Sequence, residues 1–181
     1  MPERQIIAVT GTPGVGKSSF TRELAKKLNA KLLDLNKVIE ESKIYSSDEN
    51  GTKVTATEDL RKEFKQVISG ESQDIVVDGL LSHLLAPNQV THVVVLRTNP
   101  EVLRERLSSR EYHNEKLEDN LEAEALGVIL SEAIGIHGVE KIYEIDTTDK
   151  PTSESVKLFE KALKDELPLE PGDIDWLEEF F

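Results

Sequence analysis

An α/β fold, with a parallel sheet covered by helices on both faces, is what this sequence predicts. Two observations carry the prediction. Short continuous apolar runs at residues 6–9, 75–77, 93–96 and 142–145 alternate with stretches of helical apolar spacing. The first run also feeds Gly11-Thr12-Pro13-Gly14-Val15-Gly16-Lys17-Ser18, which fits G-x-x-x-x-G-K-[ST] at every fixed position. The 181 residues suit one domain, large enough to remove roughly 70% of its unfolded surface from water.

The elements follow in order. Residues 6–9 are β-branched and apolar and end at Gly11, as a buried strand does. Phe20, Leu24 and Leu28, with Ala25, mark one face of a helix over 17–28. Residues 31–35 make a second short strand. Residues 36–56 are polar and irregular, and Ser46-Ser47-Asp48-Glu49-Asn50-Gly51 is a loop by composition. Leu60, Phe64, Val67 and Ile68 restore helical spacing behind a Thr57 cap, with Glu58 and Asp59 at the positive helix end. Ile75-Val76-Val77 is a buried-type strand ending on Asp78-Gly79, and residues 93–96 form the next.

Asn99-Pro100-Glu101 starts a helix with Pro at its first position, and Leu103 and Leu107 face inward. After a polar stretch at 108–115, Leu117, Leu121, Ala125, Val128, Ile129 and Ala133 form the longest helical pattern. Residues 142–145 are the last strand, and Val156, Phe159 and Leu163 mark the last long helix. The tail, residues 165–181, holds seven acids and no base, and Pro168 and Pro171 separate it from that helix. Trp176, Leu177 and Phe180 have helical spacing, and Asp175 and Glu178 have capping-box spacing. Docking of this end on the body is the favoured reading; a short partner-binding helix is the other.

Composition excludes several classes. Lys plus Arg is 22 and Asp plus Glu is 35, a net charge of −13. That charge argues against direct, sequence-specific nucleic-acid binding and suits a basic protein partner. With no Cys, disulfides, cysteine zinc sites and thiol catalysis are excluded. No apolar run approaches the ~18 residues of a membrane span. Met1-Pro2-Glu3-Arg4 leads straight into a short apolar run without the long apolar region of a secretory signal, so the cytoplasm is the expected location.

The glycine-rich loop carries the chemistry. Glycines let the backbone wind close to phosphate, so that N–H groups and a helix N-terminus converge on its oxygens. Lys17 reaches the outer phosphates and the Ser18 hydroxyl ligates Mg²⁺. Asp78, at a strand end beside the loop, either holds the metal through water, the favoured reading, or caps a turn ahead of Gly79. Arg97, Arg104, Arg106 and Arg110 form a basic cluster where a triphosphate would lie, and Arg106 and Arg110 share a helix face if the helix persists. For Arg104 the reading is solvated charge paired with Glu101 and Glu105; for Arg110 it is function. A GTPase is unlike this chain, because the one Asn-Lys, at Asn36-Lys37, lacks the Asp of a guanine reader.

Five segments together resemble the adenylate kinase isoenzyme 6 family, archaeal-type members included: 11–19, Val76-Val77-Asp78-Gly79, Val95-Leu96-Arg97-Thr98, Arg106-Leu107 with Arg110, and Lys116-Leu117 with Asp119-Asn120. They run in family order over about residues 5–135. The resemblance implies a nucleoside monophosphate kinase-like phosphate-loop fold on a five-stranded parallel sheet, an NMP-binding segment near 34–57 and a short lid near 109–119. It implies ATP contacts at Gly14, Val15, Gly16, Lys17, Ser18, Ser19 and Arg110, with Mg²⁺ at Ser18 and Asp78. It implies phosphate transfer from ATP to an NMP such as AMP, together with ATPase activity. It also implies transient binding of a small-subunit ribosomal platform protein during rRNA maturation, in the nucleus where the source is eukaryotic.

Two departures stand out. Eukaryotic members carry Asp-x-His after the third strand, with the His implicated in ATPase function; here Leu80 stands in its place and His83 lies three residues on. His83 either swings into the same space as a catalytic group or is a surface His. Ordinary adenylate kinases carry an Arg where this chain has Ser82, which argues against efficient AMP-specific transfer. The resemblance therefore supports two functions: an adenylate-type kinase with ATPase activity, or an ATP-switched chaperone of a basic ribosomal protein with negligible kinase activity.

Overall fold

A computed structural model describes residues 3–110 and 113–181. The main sheet has five parallel strands in the order β2-β5-β1-β6-β7: β1 (Ile6–Thr10), β2 (Lys31–Asp34), β5 (Ile75–Asp78), β6 (His92–Arg97) and β7 (Ile142–Asp146). β3 (Tyr45–Ser47) and β4 (Lys53–Thr55) form a separate antiparallel hairpin. The helices are α1 (Lys17–Leu28), α2 (Leu35–Ser42), α3 (Thr57–Val67), α4 (Pro100–Ser108), α5 (Asn114–Leu126), α6 (Val128–His137), α7 (Thr152–Leu163) and α8 (Leu177–Phe180).

Strand periodicity builds two cores. Successive side chains leave opposite faces of a strand, and here both faces are apolar. Ile6, Ala8, Ile75, Val77, Val93 and Val95 pack with Leu35, Ile39, Leu60, Phe64 and Ala133, from α2, α3 and α6. Ile7, Val9, Val76, Val94 and Leu96 pack with Phe20, Leu24, Leu103, Leu107, Leu121 and Phe159, from α1, α4, α5 and α7. Burial of each large side chain contributes about 1.5–3 kcal/mol. Among the described residues no helix is long and apolar enough to cross a membrane.

Several local expectations are corrected. Residues 36–56 are not an irregular loop: they hold α2 and the hairpin. The Asp34 carboxylate caps α2 by accepting from Lys37 N at 3.3 Å, and Leu35 and Ile39, one helical turn apart, are buried. Thr57 lies inside α3, whose first carbonyl acceptor is Ala56 O (3.0 Å from Leu60 N). The long helix across 117–133 is broken. Gly127, at φ +64°, ends α5 and starts α6 in a left-handed conformation that glycine adopts without strain. Asp175 and Glu178 make no capping box. Trp176 precedes α8, and Asp175 Oδ1 accepts from Leu177 N at 2.9 Å.

The tail lies on the body. Trp176 is buried, Phe180 packs against the second core, and Glu144 N donates to Leu169 O at 3.1 Å along β7. Leu177 and Phe181 remain exposed.

The topology positions the site. After β1 the chain builds β2 and β5 on one side, then crosses to β6 on the other. Such a switch leaves a crevice at the carboxyl ends of the strands, where parallel sheets bind ligands. The glycine-rich loop leaves β1 at that crevice.

Candidate active site

The phosphate loop runs from the end of β1 into α1. At Gly14 the backbone has φ +94°, and a Cβ there would lie 2.9 Å from both Leu103 Cδ1 and Leu107 Cδ2. Glycine thus lets the loop turn and lie against α4. Three of the loop's polar groups are held by residues outside it. Arg106 donates to Gly14 O (3.2 Å), the Thr147 hydroxyl lies 3.0 Å from Val15 O, and the Thr12 hydroxyl donates to Glu124 Oε2 (2.7 Å). With its acceptors occupied outside, the loop is free to turn its N–H groups toward the cavity.

That cavity has a volume of about 550 Å³. Pro13, Gly14, Gly16, Lys17, Ser18 and Ser19 line one side; Asp34, Asn36, Lys53, Asp78 and Arg110 line the rest. The Lys17 ammonium donates to Gly11 O (2.7 Å) and Thr12 O (3.3 Å). Burial pulls its pKa down to about 8, against the raising influence of the Asp78 charge; nearby Arg110 lowers it further. The Ser18 hydroxyl donates to Asp78 Oδ2 at 3.2 Å. Burial holds the Asp78 carboxyl above its ordinary range, opposed by the Ser18 hydrogen bond and the Lys17 charge, while Asp34 adds to the rise. Asp34 and Asp78 are register partners at the ends of β2 and β5, which explains their mutual influence. A hydroxyl and a carboxylate are the hard oxygen donors Mg²⁺ takes, so Ser18 and Asp78 suit that ion.

A smaller cavity of about 190 Å³ continues past the loop, lined by Gly14, Val15, Gly16, Ser19, Arg106, Thr147 and Lys150 among others. Val15 lines this smaller cavity and not the main one, and its side chain is buried.

The arginine cluster divides. α4 ends at Ser108, so Arg110 leaves the helix and lines the main cavity while Arg106 clamps the loop from outside. Arg97 is not at the phosphate position. It is buried, donating to Glu124 Oε1 (2.8 Å), Glu124 O (2.8 Å) and Glu144 Oε2 (2.7 Å). Arg104 is exposed and its ion pair is with Glu118, while the Glu101 charge acts on it more weakly.

His83 corrects both of its readings. It is 2% exposed, so it is no surface residue, and it does not line the cavity. It lies behind β1, with Nδ1 3.0 Å from Thr10 Oγ1 and Nε2 2.7 Å from Glu132 Oε2. It sits in a 3-10 turn over Ser82–Leu84.

Sequence reasoning missed Glu124 and Thr147, which hold the loop; Asp34, Asn36 and Lys53, which line the cavity, fall within the expected 34–57 segment but were not singled out in it. Glu124 carried one signal: it sits at an inward helical position beside Leu121 and Ala125, where an acid needs a buried partner. Lys53 carried none, because its placement depends on the hairpin.

The chain is similar to known proteins. Residues 7–127 match the family described as "AAA domain". A protein named "Putative adenylate kinase" from Methanocaldococcus jannaschii is 36% identical over 97% of this chain and 94% of its own length. One of the same name from Thermococcus kodakarensis is 39% identical over 96% and 93%. The chain belongs to the adenylate kinase-like family. Its adenylate kinase-like fold also matches shikimate kinases from Bacteroides thetaiotaomicron and Acinetobacter baumannii. Their TM-scores are 0.58 and 0.60 at 21% and 17% identity, covering 88% and 91% of this chain and 98% and 96% of theirs. At that identity the likeness speaks for the α/β phosphate-loop fold alone. The adenylate kinase-like relatives, matched over nearly their whole length, make the chain kinase-related throughout and not only at the loop.

Proposed function

We propose that this protein is an adenylate-type nucleoside monophosphate kinase with ATPase activity, of the isoenzyme 6 kind. The observation that carries the reading is the convergence of Lys17, Ser18, Asp78 and Arg110 on one cavity at the switch point of the sheet. The adenylate kinase name of the relatives supports the choice of ATP as donor and AMP as acceptor.

In this reading the loop N–H groups, from Gly14 to Ser19, receive the ATP phosphates, and Lys17 exchanges its contacts with Gly11 O and Thr12 O for phosphate oxygens. A Mg²⁺ ion bound at Ser18 and Asp78 would supply positive charge against those oxygens. Arg110, from a lid over 109–119, adds charge as the γ-phosphoryl group moves; residues 111 and 112 of that lid lie outside the described residues. The segment 34–57, holding α2 and the hairpin, binds the acceptor. An acceptor phosphate oxygen forms a bond to the γ-phosphorus, the bond to the ADP oxygen breaks, and two diphosphates result. Water entering in place of the acceptor gives ADP and phosphate instead.

A second reading has its own supporting observation. Among the described residues, Lys53 is the cation that segment 34–57 contributes to the cavity lining, and it is paired with Glu40 at 3.0 Å. A weakly cationic acceptor side suits an ATP-switched chaperone of a basic small-subunit ribosomal protein in rRNA maturation, with negligible kinase activity. The acidic tail suits such a client.

ADP production separates the two, measured with ATP alone, with AMP added, and with a basic small-subunit ribosomal protein added. Acceleration by AMP is expected for the kinase. Acceleration by the ribosomal protein and none by AMP would establish the second reading. Unchanged rates in Lys17→Ala would overturn both.

A further inference from the structure

Glu124 and Glu144 are the buried acids among the described residues, and Arg97 lies between them. A structural ion pair explains most of this cluster but not all of it. Glu124 Oε1 accepts from Arg97 Nε (2.8 Å) and from Thr98 N (3.0 Å). Glu144 Oε2 accepts from Arg97 and its Oε1 from Gly172 N (2.9 Å). The arginine is satisfied by these contacts and by Glu124 O. Glu124 Oε2 is left over from the ion pair, and it points at the phosphate loop, where it accepts from the Thr12 hydroxyl at 2.7 Å.

Thr12 is 2% exposed and sits in the first turn of the loop. Its carbonyl accepts from Val15 N (3.3 Å) and from Lys17 Nζ (3.3 Å). The peptide that Glu124 steadies through the hydroxyl is therefore one that shapes the loop and meets the Lys17 ammonium. A hydrogen bond to a buried, geometrically fixed carboxylate is stronger than one to a neutral acceptor, and it is not screened by water. A loop ordered before phosphate arrives loses less conformational freedom on binding, which raises affinity without any added contact.

We propose that Glu124 is a positioning residue for nucleotide binding: its Oε2 anchors the Thr12 hydroxyl and so holds the phosphate loop in its receptive shape. Arg97, Glu144 and the Gly172 N–H hold Glu124 itself in place. The proposal rests on the nucleotide-binding reading above, and its test is built so that the two fail differently.

The test is ATP titration of the full chain to give a dissociation constant, with thermal melting on each variant. Thr12→Val keeps the β-branched shape and removes the hydroxyl; Thr12→Ser keeps the hydroxyl. The expected result is a roughly five- to thirtyfold loss of ATP affinity in Thr12→Val. Affinity within about twofold of the parent is expected in Thr12→Ser, a rescue by the hydroxyl. In a Glu124→Leu background, whose side chain offers the Thr12 hydroxyl no partner, Thr12→Val should add little further loss, because both changes cut the same link. Unchanged ATP affinity in Thr12→Val, or losses that add in the double variant, would overturn the proposal. A lowered melting temperature with unchanged affinity would likewise reduce Glu124 to a structural role. Should Glu124→Leu fail to fold, the comparison of Thr12→Val with Thr12→Ser still decides. If Lys17→Ala binds ATP as tightly as the parent, the phosphate-loop reading itself is wrong; if it does not while Thr12→Val does, only the positioning role fails.

Discussion

Replacing Arg97 with Met tests whether this arginine of the sequence cluster is structural. Met has similar length, packs well in a core and carries no charge. The substitution removes the partner of two carboxylates that are themselves 3% and 5% exposed, Glu124 and Glu144. Breaking a buried pair by deleting one partner costs about 3–5 kcal/mol, because the remaining charge stays out of water. A domain of this size loses about 2–4 °C of melting temperature per kcal/mol, so the expected drop is roughly 6–20 °C near neutral pH. Thermal melting followed by far-UV circular dichroism measures it. A drop under about 2 °C would show that the cluster is not the buried ion network described. A fully stable variant with lost ATP affinity would return Arg97 to the phosphate.

We make three further predictions. Gly14→Ala places a Cβ 2.9 Å from Leu103 and Leu107 at φ +94°. Conformational strain of ~1–2 kcal/mol and crowding of ~1–3 kcal/mol should lower the melting temperature and weaken ATP binding; an unaffected variant would contradict the loop geometry. Lys17, with its pKa lowered to about 8, is charged below that pH and neutral above it. The kcat/KM for ATP should therefore fall as pH rises through about 8, while kcat falls less because bound phosphate keeps the lysine charged; a flat kcat/KM profile from pH 7 to 9 would count against the assignment. His83→Ala should lose about 1–3 kcal/mol of stability, from its buried contacts with Thr10 and Glu132, yet keep ATP turnover per folded molecule within roughly threefold. A collapse of turnover in stably folded protein would place His83 in the chemistry after all.

The fold was legible because its signals are local. The β-branched runs, Pro100 behind its Asn99 cap, and the glycine-lysine loop each state their conformation within a few residues. The α2 region was the local failure. Leu35 and Ile39 give a single helical repeat, and the surrounding polar residues masked it. Gly127 was a second: the apolar spacing continues through it, and the break follows from the glycine's left-handed turn, where a Cβ would lie 3.7 Å from Arg97 Nη1.

Sequence alone determined that a phosphate-binding loop joins a buried strand to a helix, because glycine, lysine and serine at that spacing serve few other purposes. It determined the parallel sheet, because only a sheet covered on both faces uses unbroken apolar strands. Tertiary structure decided which charges serve the site. Arg97, Arg106 and Arg110 look alike in sequence. Glu124 and Glu144, 27 and 47 residues away in sequence, take Arg97 into a buried pair, while Arg106 grips the loop from outside and Arg110 lines the cavity. The physical reason is that a charge's role follows from its nearest opposite charge and its exposure to water, and both are set by contacts between distant parts of the chain.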